Sequence, residues 1–154
     1  MRSSKNYSVV IDAGLFLVTV FPHPYQDAVQ SLWRQWVEEQ RLLRAPHLWV
    51  AEVTSGLRRA VWERILTPAE AERALNRMLR LPITFIPDAT LAQSALTWAG
   101  RLGQKRAYDA FYLALAERLG VKFWSTDRRL VARAHQLGAT WAHWVGEYAD
   151  ISQE

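Results

Sequence analysis

The sequence contains no cysteine among its 154 residues. This absence excludes disulfide bonds, thiolate metal ligands and a cysteine nucleophile, so a metal ion can be bound only by oxygen or imidazole groups. A chain without disulfides is typical of a reducing compartment, and we expect the protein to be cytoplasmic. The four histidines show no paired metal-ligand spacing and no serine lies in a nucleophile-elbow motif, so none of these residues is assigned a catalytic role.

Long hydrophobic runs are also lacking. The longest apolar stretch, residues 9–21, is interrupted by Asp12 and falls short of the roughly 18 to 20 residues that a membrane span needs. No basic leader with a small-residue cleavage site precedes this stretch. We therefore expect neither a membrane anchor nor secretion.

Lysine is scarce, since 3 of the 19 basic residues are lysine and 16 are arginine, and the formal net charge is +4. The planar guanidinium group of arginine suits phosphate oxygens, so the composition is compatible with nucleic acid as a partner. An arginine-rich solvated surface is the alternative explanation, and net charge alone does not decide between the two.

Short apolar runs alternate with helical patterns along the chain. The β-branched run at residues 8–11 predicts a strand that is buried on both faces and that ends in Asp12 at one edge of a sheet. The alternation predicts a single domain over residues 1–154, with its core at about 7–145, in which helices cover both faces of a mostly parallel sheet. The other predicted strands are 42–45, 83–86, 121–124 and 140–145, and the predicted helices are 15–21, 25–39, 46–65, 67–79, 91–99, 107–119 and 127–137.

Four acidic residues lie where this fold would bring them together. Asp12 and Asp127 each follow directly on a predicted strand, so both should project at the same edge of the sheet. Glu52 and Asp109 each lie near the start of a predicted helix, on an otherwise apolar face. Converging carboxylates repel one another and raise one another's pKa values, and a hard divalent cation removes that penalty. Mg²⁺ or Mn²⁺ bound there would polarise a phosphodiester and activate a water molecule for in-line attack.

Each acid also has a structural explanation. Asp127 can be the N-cap of its helix, and the positive end of a helix dipole can favour Asp109 or Glu52. Asp12 has the weakest such explanation, because turning a buried strand rarely needs a charge. Asp88 could add a fifth acid at the sheet edge, but capping of the 91–99 helix is the preferred interpretation. Taken one acid at a time, the spacing leaves a metal site and a set of structural acids as open alternatives.

Four segments of the sequence together resemble the PIN-domain family. They are residues 9–12 (VVID), 51–53 (AEV), 108–116 (YDAFYLALA) and 125–130 (STDRRL), and they occur in the order that the family shows. The likeness is to the small, single-domain toxins of VapC type in particular, and it extends from about residue 7 to residue 145.

The resemblance implies a three-layer α/β/α sandwich with a mostly parallel central sheet, and Mg²⁺- or Mn²⁺-dependent endoribonuclease activity against structured RNA such as transfer or ribosomal RNA. Asp12, Asp109 and Asp127 match family acids that would bind the cation, and Glu52 matches one that would complete its shell or orient the attacking water. Ser125 stands where the family has a hydroxyl near the metal. The resemblance also implies a homodimer and a small antitoxin partner, as in type II toxin–antitoxin pairs.

Two positions depart from the family pattern. Gly14 lies where serine or asparagine is frequent, two residues after the first aspartate, and Ser55 lies where asparagine is frequent. Neither departure removes a predicted metal ligand. Both keep open the alternative of a degenerate PIN-like module that binds RNA or protein without cutting it. A stand-alone RNA-processing nuclease without an antitoxin is a further alternative.

Basic and aromatic residues supply candidate RNA contacts. Lys105 and Arg106 precede the third acid, and Arg128 and Arg129 follow the fourth, so these residues can hold phosphates on either side of the scissile one. Ordinary solvated surface is the alternative for any one of them. Most of the eight tryptophans are expected in the core, although a pair on one helical face, Trp33 and Trp36, can stack on unpaired bases or receive an antitoxin.

Overall fold

The computed structural model describes the backbone of residues 7–151 and the side chains of residues 7–148. Residues 1–6 and 152–154 of the predicted domain lie outside the described residues. In chain order the elements are β1 (Ser8–Ile11), α1 (Gly14–Leu17), α2 (Gln26–Glu38), β2 (Leu42–Pro46), α3 (Leu48–Trp62), α4 (Pro68–Leu79), β3 (Ile83–Ile86), α5 (Ala92–Leu102), α6 (Tyr108–Leu119), β4 (Lys122–Ser125), α7 (Arg128–Gln136), β5 (Ala142–Trp144) and α8 (Val145–Ile151).

The five strands form one sheet in the order β3-β2-β1-β4-β5, and every neighbouring pair is parallel. β1 is the central strand, and its apolar residues Val9, Val10 and Ile11 are buried, as expected for a parallel strand covered on both faces. All five strands predicted from the apolar runs are present, with ends that shift by at most two residues.

The two neighbours of β1 come from different halves of the chain. From β1 the chain moves outward to β2 and β3, and after α5 and α6 it returns to place β4 on the other side of β1. The carboxyl ends of β1 and β4 therefore flank a topological switch point, where ligands bind in open α/β sheets. Asp12 follows β1 and Ser125 ends β4, so both residues lie at this crevice.

Two consecutive aromatic residues of β4 show that helices cover both faces of the sheet. Phe123 stacks on Tyr112 of α6, with ring centroids 5.8 Å apart. Trp124 instead contacts the rings of Trp36 in α2 and Tyr148 in α8. Because successive side chains of a strand point to opposite faces, α6 and the α2–α8 pair lie on opposite sides of the sheet. The predicted three-layer α/β/α sandwich is confirmed.

The helix ends follow the sequence signals where those signals are local. At the start of α4, Thr67 accepts a hydrogen bond from the backbone N–H of Glu70 and the Glu70 carboxylate accepts one from the N–H of Thr67, which is the predicted capping box. α6 ends at Gly120, whose φ of +67° is the left-handed conformation that glycine favours after a helix.

Two boundaries were predicted incorrectly. The predicted helix 15–21 is limited to α1, because the chain enters successive turns after Leu17. The predicted strand 140–145 is limited to β5, and the following residues form α8, which the sequence did not indicate. The apolar run Trp144-Val145 reads as the end of a strand, whereas Val145 in fact begins a helix and is fully buried.

Asp88 caps a different helix from the one predicted. Its carboxylate accepts a hydrogen bond from the backbone N–H of Leu48 at 3.2 Å, which is the first residue of α3. α5, the helix predicted to use this cap, begins without a side-chain hydrogen bond. Asp88 therefore fixes the end of α3 that carries Glu52.

The predicted RNA or antitoxin surface at Trp33 and Trp36 is largely closed. Trp36 is buried, and the indole N–H of half-buried Trp33 donates to the backbone oxygen of Leu15 at 2.8 Å. Trp62, by contrast, is 77% exposed.

Among residues 7–151, no helix has the length and apolar character needed to cross a membrane.

Candidate active site

Asp12 joins the carboxyl ends of the two central strands. One of its carboxylate oxygens, Oδ2, accepts hydrogen bonds from the Ser125 hydroxyl at 2.6 Å and from the backbone N–H of Thr126 at 3.2 Å. The other oxygen, Oδ1, accepts the N–H of Leu15 at the start of α1, at 3.1 Å. Burial raises the pKa of Asp12 to about 7 even though these three donors oppose the shift, and the nearby charge of Asp109 adds to it.

Ser125 links Asp12 to Asp127. The Ser125 side chain is fully buried, and its oxygen donates to Asp12 and accepts the backbone N–H of Asp127 at 2.9 Å. Asp127 is the N-cap of α7, because its Oδ1 accepts the N–H of Leu130 at 3.1 Å. The capping interpretation is therefore correct for Asp127, and it is compatible with a place at the site.

Glu52 is held by a residue that the sequence did not single out. Tyr112 is 1% exposed, and its hydroxyl donates to Oε1 of Glu52 at 2.5 Å. Burial raises the pKa of Glu52, the Tyr112 hydrogen bond lowers it, and the charges of Asp109 and Asp88 raise it further. A tyrosine rather than a phenylalanine at a buried position of α6 was the available signal, since a buried phenol needs a hydrogen-bond partner.

Asp109 is the acid whose charge is coupled to each of the other three. It occupies the first turn of α6, and Gln104 donates to its Oδ2 at 3.4 Å. Burial raises the pKa of Asp109, and the negative charge of Asp127 raises it further. Because Asp109 in turn raises the pKa values of Asp12 and Glu52, the structure brings the other three predicted acids within electrostatic reach of Asp109.

No positive charge compensates this cluster within the described part of the chain. The ion pairs found among residues 7–148 are Arg41–Glu39, Arg59–Glu63 and His143–Glu147, none of which includes a predicted site acid. Three half-buried carboxylates with raised pKa values and no paired cation are the donor set that a hard divalent cation prefers.

The cluster is not a ready-made multidentate cage. Among the described residues, no group of three or more histidine, aspartate or glutamate side chains could hold a metal ion as the side chains stand. Mg²⁺ normally binds one or two protein carboxylates and keeps several of its waters. The oxygen-only donor set fits that mode of binding, and the assignment of individual ligands stays a prediction.

The departure at Gly14 has a steric cause. A Cβ atom at position 14 would lie 2.0 Å from Oγ1 of Thr126 and 3.0 Å from two of its carbons. The Thr126 side chain therefore occupies the space that any larger residue at position 14 would need. Ser55, the other departure, is exposed on α3.

The four predicted RNA-contacting residues, Lys105, Arg106, Arg128 and Arg129, are all exposed. None of them forms an ion pair within the described part of the chain. The Arg128 guanidinium lies over the ring of Trp144, 4.9 Å from the centroid. These positions permit phosphate contacts, which stay a prediction.

Comparison with known proteins agrees with this architecture. The family pattern of the PIN domain matches residues 9–136. The chain belongs to the PIN-domain family. Ribonuclease VapC9 of Mycobacterium tuberculosis is 39% identical over 97 residues, which are 63% of this chain and 73% of VapC9. Ribonuclease VapC3 of the same organism is 34% identical over 99 residues, 62% of this chain and 70% of VapC3. The resemblance to PIN-domain proteins of VapC type is thus confirmed.

Solved structures of other proteins share the fold. PAE2754 from Pyrobaculum aerophilum superposes with a TM-score of 0.68 at 20% identity, covering 99% of this chain and 100% of that protein. VapC20 of Mycobacterium tuberculosis, described as a Sarcin-Ricin loop cleaving toxin, superposes with a TM-score of 0.59 at 14% identity, covering 80% of this chain and 94% of VapC20. At these identities the superpositions support the fold alone.

The steric pair of Gly14 and Thr126 predicts a specific double-mutant result. Gly14→Ala should lower the free energy of unfolding by about 1–3 kcal/mol, because the new methyl group meets the Thr126 side chain. Adding Thr126→Ala should recover part of this loss, so the two changes should be non-additive in urea unfolding. Gly100→Ala is the matched control, because no atom lies within 4 Å of a Cβ there. Additive effects of the two substitutions would contradict the steric explanation.

The raised pKa of Asp12 predicts how stability depends on pH in metal-free protein. With a pKa of about 7 when folded and an ordinary value near 3.8 when unfolded, Asp12 binds more protons in the folded state between these values. Its contribution to stability is therefore complete below the unfolded pKa and is lost as pH rises through about 7. Urea unfolding in EDTA at several pH values should show this decline, with a shallower slope for Asp12→Asn. A slope unchanged by Asp12→Asn would mean that Asp12 is already ionised throughout.

Proposed function

We propose that this protein is a divalent-metal-dependent endoribonuclease that hydrolyses RNA phosphodiester bonds, and that it is the toxin of a type II toxin–antitoxin pair. The observation that carries the proposal is the cluster of four acids at the switch point of a PIN-domain sheet, with no compensating cation among the described residues. The 39% identity to ribonuclease VapC9 supports RNA as the substrate.

The proposed roles follow from how each acid is held. Asp12, Asp109 and Asp127 would hold Mg²⁺ or Mn²⁺, and Ser125 keeps the Asp12 carboxylate in one orientation. A bound divalent ion supplies Lewis-acid polarisation of the phosphodiester and a lowered pKa for its water. Glu52 has one oxygen occupied by the Tyr112 hydroxyl, which leaves the other to complete the ion's shell or to orient the attacking water.

The proposed partners follow from the same identification. Lys105, Arg106, Arg128 and Arg129 would hold RNA phosphates beside the acids, and transfer or ribosomal RNA is the proposed substrate class. A cognate antitoxin would silence the enzyme, the protein would form a homodimer, and its site of action would be the cytoplasm. A short antitoxin reading frame beside the gene would separate the toxin from a stand-alone RNA-processing nuclease.

One observation favours a second candidate, a PIN-like module that binds RNA without cutting it. The described acids form no ready-made metal cluster. Calorimetry with Mn²⁺ separates the candidates, because a nuclease should bind the ion and should lose affinity in Asp109→Asn. Absence of binding, or binding unchanged by Asp109→Asn, would favour the module.

The first experiment is cleavage of total cellular RNA by antitoxin-free protein. We expect discrete fragments with Mn²⁺ and none with EDTA. Asp109→Asn and Glu52→Gln should each lower the rate at least about 100-fold, because one removes a proposed ligand and the other the proposed water-orienting base. Glu72→Gln, an exposed acid on α4, is the control and should cleave at the wild-type rate. Wild-type cleavage by Asp109→Asn would refute the proposed site.

Tyr112→Phe tests the positioning of Glu52 without removing an acid. The phenylalanine ring can still stack on Phe123, so the loss of stability should be about 1 kcal/mol, the contribution of one hydrogen bond. Loss of the hydroxyl removes an interaction that lowers the pKa of Glu52. The acidic limb of the pH–rate profile should therefore shift to higher pH. A profile that only falls in height, without shifting, would indicate a purely structural role for Tyr112.

A further inference from the structure

Arg128 and Trp144 form a cation–π pair outside the acid cluster. The Arg128 guanidinium lies over the Trp144 ring at 4.9 Å from its centroid. Arg128 is exposed and makes no ion pair or side-chain hydrogen bond with another described residue. The guanidinium group therefore lies against an indole ring and is at the same time accessible to solvent.

The Trp144 ring packs against two neighbouring residues besides Arg128. The Tyr25 ring meets it edge to face, with centroids 5.3 Å apart and an interplanar angle of 81°. The ring also lies against Gly146, where a Cβ atom would lie 2.2 to 2.4 Å from three ring atoms. A residue larger than glycine at position 146 would therefore displace the end of this ring, so the position of the ring beneath Arg128 depends on Gly146.

The Arg128–Trp144 pair lies beside the proposed catalytic acids. Trp144 is the register partner of Ser125 in the β4–β5 pairing, and neighbouring strands are about 4.8 Å apart. Ser125 is the residue that donates to Asp12. Arg128 directly follows Asp127. A nucleotide attached to a phosphate at the acids would thus have its base within reach of the Arg128 plane.

From this geometry we propose that Arg128 and Trp144 form a subsite that stacks an unpaired RNA base next to the scissile phosphate. Unpaired bases are recognised by stacking on aromatic rings and on arginine planes, whereas bases inside a duplex have both faces covered. The inference rests on the proposed ribonuclease function. It adds that the enzyme selects a single-stranded nucleotide at the cleavage site through a planar cation and not through charge alone.

The test uses the full-length chain carrying Asp109→Asn, in EDTA, so that RNA is bound and not cut. The probe is a short single-stranded RNA in which 2-aminopurine replaces one base at a time, because stacking quenches its fluorescence. We expect at least about twofold quenching at one position and little at the others. Arg128→Lys keeps the charge and loses the plane, so quenching should disappear while the salt dependence of binding stays the same.

Arg133→Lys is the matched control, because this exposed arginine lies on the same helix α7, has no proposed RNA contact and lies over no ring of a described residue, and it should quench like the parent protein. Gly146→Ala is the independent variant, because it leaves Arg128 and Trp144 in the chain and displaces the ring. It should reduce quenching, with circular dichroism confirming that it folds. Quenching that survives in Arg128→Lys, or that occurs at no position, would overturn the subsite.

Cleavage assays on chains that keep Asp109 distinguish failure of this inference from failure of the proposed function. If Mn²⁺-dependent cleavage occurs and an abasic nucleotide at the quenched position slows it for wild type but not for Arg128→Lys, the subsite acts in catalysis. If RNA is cleaved and the abasic change has no effect, the subsite is wrong and the nuclease stands. If position-specific quenching occurs without any cleavage, the subsite stands and the nuclease assignment fails.

Discussion

The arrangement of the site depends on one buried carboxylate that joins two strand ends. Asp12 accepts hydrogen bonds from the Ser125 hydroxyl, the Thr126 N–H and the Leu15 N–H, so it ties β1 to β4 and to the first helical turn. Desolvation nevertheless outweighs these donors and raises its pKa to about 7. Near neutral pH, Asp12 therefore either holds a proton or carries a negative charge that burial disfavours. A bound cation would relieve this cost, and the same cost in its absence is the kind of local instability that functional sites retain.

Much of the fold could be predicted from local sequence, because the local signals were strong and agreed with one another. Apolar β-branched runs marked the strands, and the Thr67 capping box and Gly120 marked helix ends. The failures have a common origin in distant contacts. Asp88 could be recognised as a cap, but its partner Leu48 lies 40 residues away in sequence, so the capped helix could not be identified. α8 was missed because its first residue, Val145, is buried by packing that a strand pattern describes equally well.

In the candidate site, too, some features could be predicted from local sequence and others depend on contacts between distant residues. The four acids were recognisable because each follows a strand or begins a helix, and the topology then brings such positions to one edge. Of the residues that hold them, Ser125 was named from the family resemblance, but others were not recognisable. Tyr112 meets Glu52 across 60 residues of sequence, and its position on α6 looks like ordinary core. Gly14 looked like the loss of a polar contact, whereas the structure shows a glycine required by the neighbouring Thr126 side chain. Spacing finds the chemical groups, but only packing reveals what orients them.

Asp127 shows how one local structure can serve several roles. Its Oδ1 caps α7 by accepting the N–H of Leu130, and its charge still raises the pKa of Asp109. The capping bond fixes the first turn of α7, and Arg128 is the first residue of that turn. The cap that holds a proposed metal-binding acid thus also fixes the backbone from which the Arg128 side chain extends to Trp144. A structural explanation for an acid is therefore no argument against a functional one, because the hydrogen bond that ends a strand and begins a helix also determines where its neighbours point.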